Sequence, residues 1–139
     1  MLDKLFKSMP MVAMTKALDT ASVRQKVISN NIANVDTPHF KRSEVNFEDA
    51  FKAAIERTPS RLAGFRTDGR HIPINPSKSI DSVKPTIWRQ NDTFSRADDN
   101  NVDIDVEMAE LAKNQLLFNA VVEAMDRKTA GIKKAISGR

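Results

Sequence analysis

The chain contains no cysteine, no tyrosine, one tryptophan and two histidines. Without cysteine it forms no disulfide bond, has no thiol nucleophile and cannot build a cysteine-based zinc site. Neither His39 nor His71 has an acidic residue beside it at a spacing typical of metal ligands. We therefore expect both histidines to be surface or packing residues, and we predict no metal site.

Long apolar runs are also missing. No stretch approaches the roughly 20 apolar residues that a membrane-spanning helix requires. The first residues lack the basic, apolar and cleavage-site regions of a secretory signal. If the protein works outside the cytoplasm, we expect it to leave by a route that uses no cleaved signal.

The sequence has no glycine-rich phosphate loop, no nucleophile elbow and no supported Ser/His/Asp set. It therefore predicts no enzyme, no cofactor and no small-molecule substrate. Basic residues outnumber acidic ones in the segment 57–96. This excess fits a solvated loop face or a contact with an acidic partner. Because its arginines are dispersed and aromatic residues are few, we do not expect nucleic-acid binding.

The C-terminal segment carries the strongest pattern in the chain. Apolar residues recur at steps of three and four from Met108 to Ile136, which is a heptad repeat typical of a paired helix. Acidic residues crowd the start of this segment and basic residues its end, as the helix dipole favours. We call the following positions the C-terminal seam: Met108, Leu111, Gln115, Phe118, Val122, Met125, Thr129, Ile132 and Ile136.

A second heptad repeat lies at the other end of the chain. It predicts a helix that begins near Pro10 and ends at about Asn34, before the extended Thr37-Pro38 pair. We call the following positions the N-terminal seam: Met11, Met14, Leu18, Ala21, Gln25, Ile28, Ile32 and Val35.

Two narrow apolar seams of similar length predict that the terminal helices pair, either parallel or antiparallel. Burial of about 1.5–3 kcal/mol for each large apolar side chain is opposed by an ordering cost of about 1–2 kcal/mol per residue. The pair is thus marginal alone and gains stability from neighbouring copies. Pairing within one chain, exchange between chains and pairing only on assembly all fit the pattern.

The expected fold is mainly α. Residues 1–40 and 102–139 form one discontinuous helical domain, a coiled-coil stalk. In the segment 41–58, the spacing of Phe47, Phe51 and Ile55 predicts a short helix near 46–57, with Ser43 or Asn46 as its N-cap. Residues 59–101, rich in proline and glycine, predict an irregular or short-β segment that is partly disordered in the free subunit.

Acidic residues alternate just before the last helix. Asp99, Asn101, Asp103 and Asp105 have the spacing of a calcium loop but lack its central Gly and terminal Glu. We interpret them as helix-entry charges.

Two motifs resemble those of bacterial flagellar axial proteins, the proteins of rod and hook. The segment 24–41 resembles the signature that closes the family's N-terminal helix, and the segment 101–115 resembles the C-terminal signature of the rod members. The family usually has Gly and Tyr after Thr-Pro, where this chain has His39 and Phe40. The matching motif positions are Asn30, Asn31, Ala33, Asn34, Thr37, Pro38, Phe40, Asp103, Asp105, Glu107 and Met108.

The resemblance implies a structural subunit of the flagellar basal-body rod that polymerises helically through its terminal helices as part of the drive shaft. It also implies export through the flagellar type III apparatus, a position in the periplasm-spanning rod, and contacts with itself, other rod proteins and the protein that joins the rod to the membrane ring. The alternative that the seams leave open is a cytoplasmic coiled-coil adaptor or chaperone that binds a helical client.

Overall fold

The computed structural model describes residues 8–56, 80–91 and 98–138. Two long helices dominate it, as the sequence predicted. Helix α1 spans Met9–Ala33, with Pro10 in its first turn. The main-chain N–H of Asn34 closes its C-terminal end by donating to the carbonyls of Asn31 and Ile32.

Between the long helices lie strand β1 (Ser43–Asn46), helix α2 (Glu48–Ile55), a 3₁₀ turn (Ile80–Ser82) and strand β2 (Thr86–Arg89). Helix α3 then spans Ile104–Ser137. The Asp103 side chain caps α3 by accepting hydrogen bonds from the main chain of Asp105 and Val106. This geometry agrees with the interpretation of these acidic residues as helix-entry charges.

Helices α1 and α3 pack against each other and run antiparallel within one chain. Glu107, near the start of α3, contacts Asn31 near the end of α1. About two turns further along α3, Asn114 contacts Ala21 and Gln25. The partner position thus moves back along α1 as α3 advances. No helix among the described residues is both long and apolar enough to cross a bilayer.

Strands β1 and β2 form a two-stranded antiparallel sheet in which Ser43 lies opposite Arg89 and Asn46 opposite Thr86. The prediction that Ser43 or Asn46 caps the short helix was therefore wrong. Both residues belong to β1, and α2 begins after Phe47, whose side chain forms no cap. Pairing with β2, a segment distant in sequence, outweighs the local capping preference of Ser and Asn.

A small apolar core fixes α2 and the 3₁₀ turn to the N-terminal part of α1. It consists of Phe47, Ala54, Ile80 and Val83, with Val12 and Phe51 packed against it. The rings of Phe47 and Phe51 stack at a centroid distance of 4.8 Å. Ile55, which the spacing placed in the same row, is 41% exposed, and Ala54 takes the buried position.

The prediction of disorder in the middle segment and that of a surface or packing role for His71 concern residues that lie largely or wholly outside the described part of the chain. Within the described part, the segment 59–101 contributes the 3₁₀ turn, β2 and the loop that leads into α3. Its β2 pairs with β1 from the segment 41–58.

Candidate functional site: the polar junction of the two terminal segments

The two motifs at opposite ends of the sequence meet at Glu107. This side chain is fully buried, and its carboxylate accepts hydrogen bonds from Arg42 Nε and from Asn31 Nδ2, the latter at 3.1 Å. A buried carboxylate requires such partners, because an unpaired charge inside a protein costs several kcal/mol. We call the set Asn31, Arg42, Asn100, Asn101 and Glu107 the polar junction.

Asn31 binds the outer edge of the sheet. Its Oδ1 accepts from the Ser43 main-chain N–H at 3.0 Å, and its Nδ2 donates to the Ser43 carbonyl at 2.8 Å. The side chain, 1% exposed, thereby replaces a neighbouring strand at that position. Since Nδ2 also donates to Glu107, one amide connects α1, β1 and α3.

Asn101 closes the open end of the sheet beside the ion pair. Its Oδ1 accepts from the Arg42 main-chain N–H at 2.6 Å, and its Nδ2 donates to the Gln90 carbonyl at 2.9 Å. Gln90 in turn donates its own N–H to the Arg42 carbonyl at 2.9 Å. The asparagine amide therefore bridges the Arg42 N–H and the Gln90 carbonyl at the end of the two-stranded sheet.

Asn100, which is 0% exposed, forms hydrogen bonds to the turn that follows α1. Its Nδ2 lies within 3.0 Å of the carbonyl oxygens of Asn34, Val35 and Thr37. Its Oδ1 accepts from the Val102 N–H at 2.8 Å. Main-chain carbonyls away from water require donors, and this one side chain adds a shared donor to three carbonyls of the turn, two of which also accept from main-chain N–H groups.

The same turn contains a non-glycine residue with a left-handed backbone. His39 has φ 60°, and Asp99, which faces it, has φ 62°. The His39 N–H donates to the Asp98 carbonyl at 2.9 Å, and His39 Nδ1 lies 3.3 Å from Asp99 Oδ2. The turn thus uses a conformation that favours glycine, the residue usual in the flagellar axial family, although histidine is among the residues that tolerate it.

A second charged contact attaches α2 to α1. Arg24 Nη2 donates to Glu48 at the start of α2. Partial burial of the Glu48 carboxyl opposes ionisation, but the hydrogen bond from Arg24, main-chain N–H donors and the Arg24 charge together hold its pKa below the ordinary value of 4.5. The ionised form is therefore the one that the fold stabilises.

The predicted motif positions fall in different environments. Asn31 and Glu107 are buried, whereas Asn30, Ala33, Pro38, Asp105 and Met108 are exposed. Asn34 donates to the Asn30 carbonyl at 2.8 Å and accepts from Thr37 Oγ1 at 3.2 Å, which fixes the end of α1. Phe40 is half-buried.

The N-terminal seam is buried or half-buried at every position. Met11, Ala21 and Ile28 are buried. The remaining members, Met14, Leu18, Gln25, Ile32 and Val35, are half-buried. None of these residues is exposed. Thr20, Val27 and Asn31, which are not seam members, are also buried, so the packed face of α1 is wider than the seam.

The C-terminal seam is only partly covered. Leu111, Val122, Met125 and Ile132 are half-buried. Gln115 and Thr129 are exposed, as are Met108 at 51%, Phe118 at 39% and Ile136 at 67%. The buried residues of α3 are Glu107 and Asn114, each one position before an exposed seam member. The first half of α3 is thus rotated by about one residue from the face that the apolar pattern marks, because polar contacts occupy the centre of the helix pair.

Asn114 is the polar counterpart of Gln25. Its Nδ2 donates to the Ala21 carbonyl at 3.0 Å and to Gln25 Oε1 at 3.3 Å. Its Oδ1 is buried and has no partner among the described residues. A single buried asparagine between two helices selects one register at some cost in stability.

The sequence analysis did not place Arg42, Asn100, Asn101 or Asn114 in this junction, although Asn101 and Asn114 lie within the C-terminal motif segment 101–115. The available signal was the density of asparagine in and beside both motifs, because a buried asparagine commonly binds main-chain groups of a turn. The arrangement leaves the polar junction saturated with internal hydrogen bonds. Its chemistry is therefore that of a structural joint and not of a catalytic centre.

Comparisons with known proteins show which family the chain resembles. A family model described as flagella basal body rod protein matches residues 12–41, the segment that runs through α1 into the turn. The flagellar basal body rod protein FlgB of Bacillus subtilis is 39% identical over 122 residues, which covers 88% of each chain. FlgB of Borrelia hermsii is 40% identical over 73% of this chain and 76% of its own, and FlgB of Aeromonas hydrophila is 34% identical over 88% of each chain.

The chain belongs to the FlgB family of flagellar basal-body rod proteins. It is therefore a structural subunit of the flagellar basal-body rod and not an enzyme, as the resemblance implied. Membership in the FlgB family implies assembly with other rod components. Nothing in these matches favours the adaptor alternative.

Proposed function

We propose that this FlgB-family subunit polymerises helically through α1 and α3 in the part of the rod that spans the periplasm. The observation that carries the proposal is the unequal coverage of the two helices. No member of the N-terminal seam is exposed, whereas α3 presents Met108, Leu116, Leu117 and Phe118 at exposures of 39–72%. Large apolar side chains that remain exposed on one helix mark a surface for contact with other proteins.

The polar junction supports the same proposal because it makes the subunit rigid. It joins the end of α1, the sheet and the start of α3 through buried hydrogen bonds. A rod that transmits torque needs subunits whose helices keep a fixed angle to the segment between them. We propose that the junction sets this angle, and that the seam residues contact neighbouring subunits as well as each other.

Two further partners belong to the proposal. A rod outside the inner membrane requires subunits that cross it, so we propose passage through the flagellar type III export apparatus without removal of a signal peptide. We also propose a contact with the protein that joins the rod to the membrane ring. Mass spectrometry of subunits recovered from purified basal bodies tests the first point, because an intact N-terminus is expected and a trimmed one refutes it.

A charge placed on the exposed part of the C-terminal seam tests assembly. Phe118→Asp is expected to retain the circular dichroism spectrum of the parent, because the side chain is 39% exposed, yet to be lost from purified basal bodies and to abolish motility. Leu18→Asp, on the half-buried N-terminal seam, is expected to abolish incorporation as well. Ala112→Asp adds the same charge to α3 at an exposed position off the seam and serves as the control. Motile cells with Phe118→Asp rods would exclude a contact through this seam.

A further inference from the structure

Helix α3 continues past the start of α1. Glu107 contacts Asn31 and the two helices run antiparallel, so each step forward along α3 is a step back along α1. Met9, the first residue of α1, is 22 positions before Asn31 and therefore lies level with about residue 129, which is 22 positions after Glu107. We call residues 130–137 the α3 overhang. It extends about 12 Å beyond that level at 1.5 Å per residue, and no described residue of α1 lies beside it.

The side of α3 that faces α1 continues along the overhang. Ile132 follows the buried Asn114 by 18 residues, which is five turns at 3.6 residues per turn, and Ile136 follows about one turn later. Both isoleucines therefore lie on the side that Asn114 turns toward α1. Ile132 is half-buried, whereas Ile136 is 67% exposed. The packing face of α3 thus ends in apolar surface that a further segment can cover.

The segment that precedes α1 is within reach of this surface. Residues 1–7 join α1 through Ser8, which is half-buried and has a buried Oγ, so the chain enters α1 beside other protein atoms. Seven residues span about 10 Å as a helix and about 23 Å when fully extended. Ile136 lies about 10 Å beyond the level of Met9. Either length therefore reaches it.

The composition of the segment matches the overhang. Leu2, Leu5 and Phe6 have the spacing of one helical face, and the three charged residues of the segment fall at the other positions. If the segment keeps the antiparallel course of α1, Phe6 lies level with Ile132 and Leu2 level with Ile136. Two apolar residues of the segment thus fall opposite the two apolar residues of the overhang.

We propose that residues 2–6 dock on the α3 overhang of the same chain, with Phe6 against Ile132 and Leu2 against Ile136. Because the segment is attached beside the overhang, its local concentration there is on the order of millimolar, which favours it over a second copy of the chain. The proposal goes beyond the proposed function, since the contact forms in a single free subunit. It assigns the last two apolar members of the C-terminal seam to contact within the chain.

Disulfide formation in the purified full-length subunit tests the contact, because the parent chain contains no cysteine. Leu2→Cys and Ile136→Cys are combined in one chain, which is oxidised in dilute solution. A disulfide within the chain is expected, and mass spectrometry of the linked terminal peptides identifies it. Leu2→Cys with Lys134→Cys is the matched control, since Lys134 is exposed and lies about half a turn away, on the opposite side of α3. Its yield is expected to be several-fold lower.

Each result of the oxidation decides the proposal. Equal yields in the two cysteine pairs would show that the segment has no preferred site on α3, and the proposal would be wrong. Disulfides that join two chains, without any within one chain, would show that a second copy covers the overhang, which also overturns it. The Phe118→Asp experiment is unaffected by either result, so the proposed function is decided separately.

Hydrogen exchange in the last turns of α3 gives a second test that needs no cysteine. Phe6→Asp is expected to accelerate exchange at the amides of residues 132–136 several-fold, because it removes apolar cover from Ile132. Lys4→Asp places an aspartate in the same segment but off its apolar face, and the exchange rates are expected to stay at the parent values. Unchanged rates in Phe6→Asp would contradict the docking. Protection of these amides that is present only in basal bodies would assign the overhang to a neighbouring subunit and would contradict it as well.

Discussion

Removal of the Glu107 carboxylate is expected to destabilise the free subunit by about 3 kcal/mol. Loss of one partner from a buried ion pair costs about 3–5 kcal/mol because the other charge stays buried. Arg42 is 18% exposed in its side chain and retains Gln90 Oε1 at 3.4 Å and Glu44 at 3.7 Å, which favours the lower end of that range. Asn31 loses one acceptor but keeps the Ser43 carbonyl.

This loss is large on the scale of the whole protein. A domain of this size is typically stable by about 5–15 kcal/mol, and about 3 kcal/mol corresponds to more than a hundredfold change in the folding equilibrium. Urea titration at neutral pH, followed by helical circular dichroism, measures the change in the free energy of unfolding of Glu107→Ala. Hydrogen exchange at the Arg42 and Ser43 amides is expected to accelerate, since both N–H groups donate within the junction.

Glu123→Ala is a matched control on the same helix. Glu123 also pairs with an arginine, Arg127, but the two side chains are 64% and 77% exposed. Exposed pairs at this spacing contribute about 0.3–0.5 kcal/mol. If Glu107→Ala destabilises no more than Glu123→Ala, the junction does not stabilise the fold. The double variant Glu107→Leu with Arg42→Met is expected to recover much of the loss, because it leaves no buried charge unpaired; Glu44, which also loses Arg42, is 45% exposed.

Three further changes test separate parts of the structure. His39→Gly is expected to raise the free energy of unfolding by about 1 kcal/mol, because glycine adopts φ 60° without strain; His39→Ala should lower it in the same urea titration. Asn114→Leu is expected to raise the thermal midpoint of unfolding, because it removes a buried polar group whose oxygen has no partner among the described residues. Double electron–electron resonance between spin labels on α1 and α3 reports whether their antiparallel register persists. The Glu48 carboxyl has a lowered pKa, so its contribution to stability is present at neutral pH, declines below about pH 4.5 and is lost as the pH falls through the folded-state pKa. Glu48→Gln should therefore reduce the loss of unfolding free energy between neutral pH and acidic pH below about 4.5. If the parent and the variant lose the same unfolding free energy over this range, the contact with Arg24 has no energetic role.

The long helices could be predicted because their signals are local. Periodicity, the proline in the first turn of α1 and the acidic residues before α3 all act within a few positions of the chain, and the helices end within a residue or two of the predicted bounds. The face of α3 was harder to predict. An apolar pattern marks Met108 and Gln115, whereas hydrogen bonds to α1 bury Glu107 and Asn114 instead.

The sheet and the polar junction lie beyond such reasoning. Strand β1 has four residues, two of which favour turns, and it becomes a strand only through pairing with β2 some 40 positions later. The bond between Asn31 and Glu107 joins residues 76 positions apart. Neither contact leaves a periodic trace in the sequence. The family resemblance marked Asn31 and Glu107 as motif positions, but it gave no reason for them to touch.

Asparagine suits the junction because main-chain N–H and C=O groups there need side-chain hydrogen-bond partners. Each of Asn31, Asn100 and Asn101 presents a donor and an acceptor without charge, and each uses both on neighbouring groups. An aspartate at position 100 would turn an acceptor toward three carbonyl oxygens, and a leucine would remove the Asn100 donor from all three. One donor for the turn after α1 comes from the segment before α3, and one acceptor for Arg42 comes from α3 itself. Each terminal segment therefore supplies hydrogen-bond partners to polar groups of the other, so we expect the two segments to fold together and to hold the middle of the chain where they meet.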